Sequence, residues 1–461
     1  MGERLPYKQE VTGSIPVPPT HPLRQRRKRR RSSVWLERCP VKAEAAGSSP
    51  VDAATKMNDI PSVHSQIEIL KSPPSWTRLV RPCRAGDGIV RLSDERRKSL
   101  RALFDGARPA LSALSFVPAS GAASRMFARL ASGDPDAVAR FAGNIEKFAF
   151  FDDLKIGAER PDAEEIVRAA LSAGGLGYSD IPKGLVKFHR YGDGRADAFE
   201  EHINAARLYS DGVHFTVSPR FPQDEKRRLE AGGDVSFSVQ DPATDTVALW
   251  EDGDLVTDDS GETVFRPSGH GALLGNLNRL KADVIFISNI DNVSRRDREP
   301  GPEAHRKELA GLLVELSSAA PPERPVRVCG VIQNTGEPGG GPFWVRDDSG
   351  DERPQIVEAA QVDFSDPSQR DIWRSATHFN PVDMVCRKGG FDLARYSDGS
   401  FMVVDKTLGG RPIKALEMPG LWNGAMAGWE TVFVEIPSGS FNPVKEVFDL
   451  LRPCHQDLRD E

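Results

Sequence analysis

Five cysteines in 461 residues, odd in number and with no CxxC pair, give neither a disulfide framework nor a zinc knuckle. No apolar run approaches the roughly 18–20 residues that a membrane-crossing helix needs, which argues against an integral membrane protein. HExxH and GxSxG are absent, so zincin and α/β-hydrolase readings lack their signatures. GxxxxGK[ST] and GxGxxG are absent too, and a P-loop ATPase and a Rossmann dehydrogenase lose support with them. The acidic stretch Glu251-Asp252-Gly253-Asp254 with Asp258-Asp259 does not fit the EF-hand spacing and reads instead as a solvated hairpin. What remains is a loop-rich α/β protein with 41 Gly and 35 Pro, whose scattered cysteines suit a reducing, cytoplasmic setting.

Charge is unevenly placed. Residues 1–56 hold 12 of the 61 Lys+Arg and 5 of the 67 Asp+Glu, leaving 49 against 62 for the rest. The run Arg24–Arg31 could be a nucleic-acid tail, a localisation signal or part of a transit peptide. The same segment, however, carries Gly13-Ser14-Ile15-Pro16-Val17 and Gly47-Ser48-Ser49-Pro50-Val51, the phrases produced when a transfer-RNA T-loop box is translated in one frame. Residues 1–56 are therefore expected to be read-through of upstream transfer-RNA genes, with Met57 as the start. No nucleic-acid partner is drawn from the basic run.

From Met57 onward, apolar strands alternate with amphipathic helices, which predicts an α/β architecture. Leu114–Ala119 reads as a buried strand and Ala122 onward as a helix. Helices are expected over Asp136–Phe151, Asp162–Ala173 and Ala198–Tyr209. Strands are expected at His214–Val217, Val235–Val239, Thr246–Trp250, Ala282–Ser288 and Val326–Val331. Leu309, Leu312, Leu313 and Leu316 share one helical face. A Pro-rich joint at 321–325 divides a 57–320 part from a strand-rich 321–461 part.

Several phrases could carry chemistry. Ser120-Gly121-Ala122-Ala123-Ser124-Arg125 follows a strand and opens a helix; free N–H groups there, with the Arg125 fork, suit phosphate, although a tight βα turn needs the same small residues. Asp291 ends the strongest strand, where an open α/β sheet binds ligands; it could hold Mg²⁺ or simply cap the next turn. His270, flanked by Gly269 and Gly271, could donate to a ligand drawn close to backbone, or be a structural histidine. Lys183 after Pro182 and Lys445 after Pro443-Val444 are compact point charges for phosphate, or surface lysines.

In this order the phrases resemble the UDP-sugar pyrophosphorylases of the nucleotide-diphospho-sugar transferase superfamily. Over nearly all of 57–461 the chain is similar to a bacterial family catalogued only as a domain of unknown function (number 4301), of which Phe116–Phe127, Gly336–Trp344, His378–Asp383 and Pro419–Met426 are typical. The resemblance implies a GT-A/Rossmann-like mixed sheet with helices on both faces. It also implies an Mg²⁺-dependent transfer of a nucleotide from a nucleoside triphosphate to a sugar 1-phosphate. On it, Ser120, Gly121, Ala122 and Ser124 would wrap the triphosphate with Arg125 on its phosphates. Gly269, His270 and Gly271 would hold the nucleoside or the sugar phosphate, Asp291 would hold Mg²⁺, and Lys183 and Lys445 would neutralise phosphate. Two departures stand out: the loop has a single Gly, and Lys183 lies nearly sixty residues beyond it. A glycosyltransferase that consumes a nucleotide sugar and a non-catalytic nucleotide-sugar binder are the rival expectations.

Overall fold

Apolar segments flanked by turn residues line up in a nine-stranded sheet at the centre of the computed structural model. The model describes residues 60–457 except 155, 157–160, 193, 299, 300, 302, 320, 321, 337, 338 and 348. The opening segment discussed above lies outside the described residues. In chain order the strands are β1 (Arg84–Ala85), β2 (Gly88–Val90), β3 (Ala113–Pro118), β4 (Gly212–Val217), β5 (Val235–Val239), β6 (Val284–Ser288), β7 (Val326–Val331), β8 (Asp383–Arg387) and β9 (Glu430–Glu435). Their spatial order is β1-β2-β9-β7-β8-β6-β3-β4-β5. All neighbours are parallel except β8, which runs antiparallel to both β7 and β6. The expected mixed α/β sheet is present.

Every residue of β6 and β7 is buried, as in strands covered on both faces. Alternation along β6 sends Val284 and Phe286 to one core and Ile285 and Ile287 to the other. The first core is covered by helices α1 (Asp94–Ala107), α2 (Ala198–Ala206) and α3 (Glu303–Ala319), through Leu100, Phe104, Phe199, Leu309 and Leu313 among others. The second takes Leu274 and Leu277 from the short helix Leu274–Arg279. Helix starts follow local chemistry: Ser93 caps α1, and Asp197 with Glu200 forms a reciprocal capping box on α2. Two three-stranded sheets lie outside the central one, Leu79–Pro82 with Gly341–Arg346 and Glu352–Val357, and Ala248–Trp250 with Met402–Leu408 and Arg411–Glu417. No helix among the described residues is long and apolar enough to cross a membrane.

Two expected helices are broken. After Ala122 there is only a 3-10 turn, Ala123–Arg125, and then a single helical turn, Ala128–Ala131. The Ala123 N–H bonds to the Ile181 carbonyl instead of continuing a helix. The segment Asp136–Phe151 is helical only within Pro135–Ala142; Gly143-Asn144 ends it, and Phe148 and Phe150 turn inward to stack on each other and on Phe141. The expected strands match the observed ones to within two residues at either end.

Because β8 alone is reversed, its amino end meets the carboxyl ends of β3, β4, β6, β7 and β9 along one rim. This is the edge at which open α/β sheets bind ligands.

Candidate functional site

The rim is closed by two short backbone zips. The chain leaving β3 meets a segment well over fifty residues later: the Lys183 N–H donates to the Gly121 carbonyl (3.0 Å) and the Ala123 N–H to the Ile181 carbonyl (3.0 Å). The chain leaving β6 meets the C-terminal segment in the same manner. There the Val444 N–H donates to the Asp291 carbonyl (2.9 Å) and the Asn442 N–H to the Asn292 side-chain oxygen (2.7 Å). Lys183 therefore stands beside the small-residue loop and Lys445 beside Asp291.

Between them lies a cleft of ≈ 660 Å³. Its basic side is formed by Arg125, Lys183 and Lys445, its carboxylates are Asp291 and Glu446, and its apolar wall comes from Phe379, Trp422 and Phe441. The Lys183 Nζ donates to Asp291 Oδ2 at 3.0 Å, with the two side chains 14% and 27% exposed. Arg125 and Lys445 are exposed and form no ion pair among the described residues. The amides of Gly121, Ala122 and Ser124 have no hydrogen-bond partner within the described chain, so this turn presents donors even without a full helix. Gly121 and Ala122 line the cleft, whereas Ser120 and Ser124 are exposed beside it.

His270 joins the same cleft from the loop before Leu274–Arg279. Its Nδ1 accepts from the Leu421 N–H (2.9 Å), which leaves the proton on Nε2, and its ring stacks on Trp422 at 4.9 Å. Burial pushes this imidazole below its ordinary value, offset in part by the Glu417 charge, so it is neutral at pH 7. The two flanking glycines serve the chain rather than the cleft. Gly269 has φ +86° against the Glu417 side chain, and a Cβ on Gly271 would overlap the Pro419 carbonyl. Of this phrase, His270 is the residue that lines the cleft.

Behind Asp291 sits a buried polar network that the sequence did not disclose. Asp383, at the start of β8, accepts from the Ser288 hydroxyl, from His305 Nε2 (2.6 Å) and from Arg306 Nε (3.0 Å). Burial would raise its carboxyl, but the Arg306 charge and the His305 and Ser288 hydrogen bonds hold it far below the carboxylate range. Arg306 also donates to the Tyr209 hydroxyl (2.9 Å). His202, on α2, bonds through Nε2 to the Asn289 carbonyl (3.1 Å); burial first, then Arg306, lowers it to about 4, so it acts as a neutral donor. This network fixes Ser288 and Asn289 from below and leaves Asp291 facing the cavity. Nothing in spacing marks His202, His305 or Arg306; Asp383 lies in a phrase singled out above without a role. From that same phrase, Phe379 and Asn380 line the cleft, and Gly339 and Gly340 pack beneath them.

Among the described residues no three His, Cys, Asp or Glu gather as a metal centre. Asp291 offers one hard oxygen donor, which matches how Mg²⁺ is held when substrate phosphates supply other donors.

A family model described as Domain of unknown function (DUF4301) matches residues 51–321 and 320–456. No protein of curated function is similar to the chain in sequence. Among solved structures, the uridine diphosphate N-acetylglucosamine pyrophosphorylase of Trypanosoma brucei, in complex with an inhibitor, superposes with a TM-score of 0.51. It is 14% identical over 85% of this chain and 74% of that one. A variant of UDP-glucose pyrophosphorylase from Leishmania major, in complex with UDP-glucose, gives 0.44 at 15% identity, over 85% and 73% of the two chains. A putative UDP-N-acetylglucosamine pyrophosphorylase from Entamoeba histolytica gives 0.46 at 12%, over 77% and 80%. The first of these establishes a shared fold, in keeping with the mixed α/β sheet expected from the sequence.

Proposed function

The chain belongs to the family described as Domain of unknown function (DUF4301), and from the chemistry of its cleft we propose that it is an Mg²⁺-dependent sugar-1-phosphate nucleotidyltransferase. The observation that carries this reading is the convergence of Arg125, Lys183, Lys445 and Asp291 on one cavity at the ligand-binding rim of the sheet.

In the proposed reaction a sugar-1-phosphate oxygen attacks the α-phosphorus of a nucleoside triphosphate in line, and pyrophosphate leaves. The attacking oxygen is already anionic, so no strong general base is needed. The protein's work is to hold two polyanions together and offset their charge. Arg125 offers a planar fork to phosphate oxygens, and Lys183 and Lys445 offer point charges. The free amides of Gly121, Ala122 and Ser124 supply further donors. Asp291 is the residue that would hold Mg²⁺, which when bound supplies additional charge neutralisation to the phosphates. The Nε2–H of His270 and the Trp422 ring furnish a donor and a flat apolar surface for the nucleoside or sugar.

The test is pyrophosphate release with Mg²⁺, across four nucleoside triphosphates and a panel of sugar 1-phosphates. Release that requires both substrates and drops about 100-fold or more in Asp291→Ala, with an unchanged circular dichroism spectrum, is the expected result. Nucleoside diphosphate released from a nucleotide sugar would instead assign a glycosyltransferase. Ligand binding indifferent to Asp291→Ala, without turnover, would leave a binding protein.

A further inference from the structure

Asp291 is not bare in this structure. The Lys183 ammonium sits on its Oδ2 at 3.0 Å, inside a cleft where both side chains are mostly covered. Arg125 and Lys445 on the same walls have no such partner among the described residues. The backbones of the pair are pinned separately. Lys183 is tied to Gly121 in the phosphate-facing loop, and Asp291 is tied to Val444. A rotation of the lysine side chain alone can therefore carry its Nζ from Asp291 toward a phosphate held by that loop. We infer that Lys183 is a stand-in cation that fills the metal position on Asp291 until a nucleoside triphosphate arrives, so that divalent metal enters only together with the nucleotide.

The inference rests on the proposed role of Asp291 and adds an order of binding to it. In the nucleotide-free cleft, a divalent ion meets at Asp291 a carboxylate already neutralised by an ammonium, and among the described residues no three His, Cys, Asp or Glu gather to complete a metal centre. A triphosphate changes both terms. It attracts Lys183 away and supplies the oxygen donors that the protein lacks. Coupling between two ligands is reciprocal, so the factor by which nucleotide tightens metal is also the factor by which metal tightens nucleotide.

Mn²⁺ is a suitable probe because its free-ion resonance reports binding without turnover. The wild-type protein titrated with Mn²⁺ alone is expected to bind weakly, and Lys183→Met at least about tenfold more tightly, with Lys183→Arg like wild type because it keeps a cation on Asp291. Equilibrium dialysis of the wild-type protein with ATP, CTP, GTP or UTP should retain Mn²⁺ with at least one of them. Wild type that binds Mn²⁺ alone as tightly as Lys183→Met would overturn the stand-in role while leaving metal at Asp291 intact. If Lys183→Met does not fold, Lys183→Gln provides the same comparison. Retention unaffected by Asp291→Asn in every arm would overturn the metal position itself. Pyrophosphate release, measured separately, reports whether the proposed reaction stands.

Discussion

Arg327 carries its guanidinium wholly inside the protein and pairs with no carboxylate among the described residues. Its Nε donates to the Thr431 hydroxyl (2.8 Å), one terminal nitrogen to the Trp422 carbonyl (2.7 Å) and the other to Gln355 (3.3 Å). Burial pushes its pKa down, the direction expected of a charge that has lost water without gaining an anion. Such a residue is costly to fold around; removing it relieves that cost but takes donors from the Trp422 carbonyl and the Gln355 side chain, a loss of about 1–3 kcal/mol. Its contact with the site is the Trp422 carbonyl, next to the Leu421 amide that fixes the His270 tautomer. Arg327→Met should therefore leave the melting temperature within a few degrees of wild type. On the proposed function it should also weaken nucleotide-sugar binding by about tenfold, or ~1.4 kcal/mol, as calorimetry would show. Unchanged affinity would mean that Trp422 keeps its place unaided. Arg327 lies in a strand legible from its apolar neighbours, but its own role was not legible, since nothing local says where a buried guanidinium will find acceptors.

At the scale of elements, the turn that bears Lys183 is wedged between two packed groups. A Cβ at Gly184 would come within 2.6 Å of the Phe199 ring on α2 and 3.1 Å of the Ile290 side chain beside Asp291. Gly184→Ala should push this turn outward, costing about 1–3 kcal/mol of stability and lowering turnover more than a surface substitution would. Thermal melts and pyrophosphate assays on the same sample check both; full activity would show that the turn can shift without moving Lys183. Val326–Val331 was readable to the residue as a buried, Val-rich run, and Val235–Val239 by its alternation of apolar residues and Ser at the edge of the sheet. The helix expected after Ala122 was not there, because its first free N–H is satisfied by Ile181, some sixty positions away, and such pairings leave no local trace. The same pairing accounts for the distance between Lys183 and the loop: separated in sequence, they are neighbours in space.

For the molecule as a whole, three buried histidines set an acid limit. Burial, with the Arg306 charge, lowers His202 to about 4; burial, with Arg279, lowers His214 to about 4. His455, bonded to His189 (2.9 Å), is held well below its ordinary value by burial and by His189. The unfolded chain takes up these protons near pH 6.5, whereas the folded chain refuses them until well below that, about pH 4 for His202 and His214. Between those values the unfolded state binds more protons, so stability falls as pH falls. The melting temperature should be level above pH 7 and drop by ~5 °C or more by pH 5. His214→Gln should flatten that slope by one proton's share, and a slope unchanged in this variant would show that His214 titrates normally. The five site phrases were legible one by one as short motifs, and the sheet rim brings at least one residue from each into a single cavity. Strands from before and after position 320 interleave in that sheet, with β7, β8 and β9 seated between β2 and β6.

That interleaving bears on how such a protein can be inherited. The groups around the cleft come from positions 125, 183, 270, 291 and 445, so no single cut between the first and the last of these leaves them together on one piece. A fragment long enough to keep the loop and Asp291 but ending before β7 gives up Lys445 and the strands beside β2. Recombination could not pass this cleft between genes as a cassette; it travels with nearly the full length of the chain or not at all.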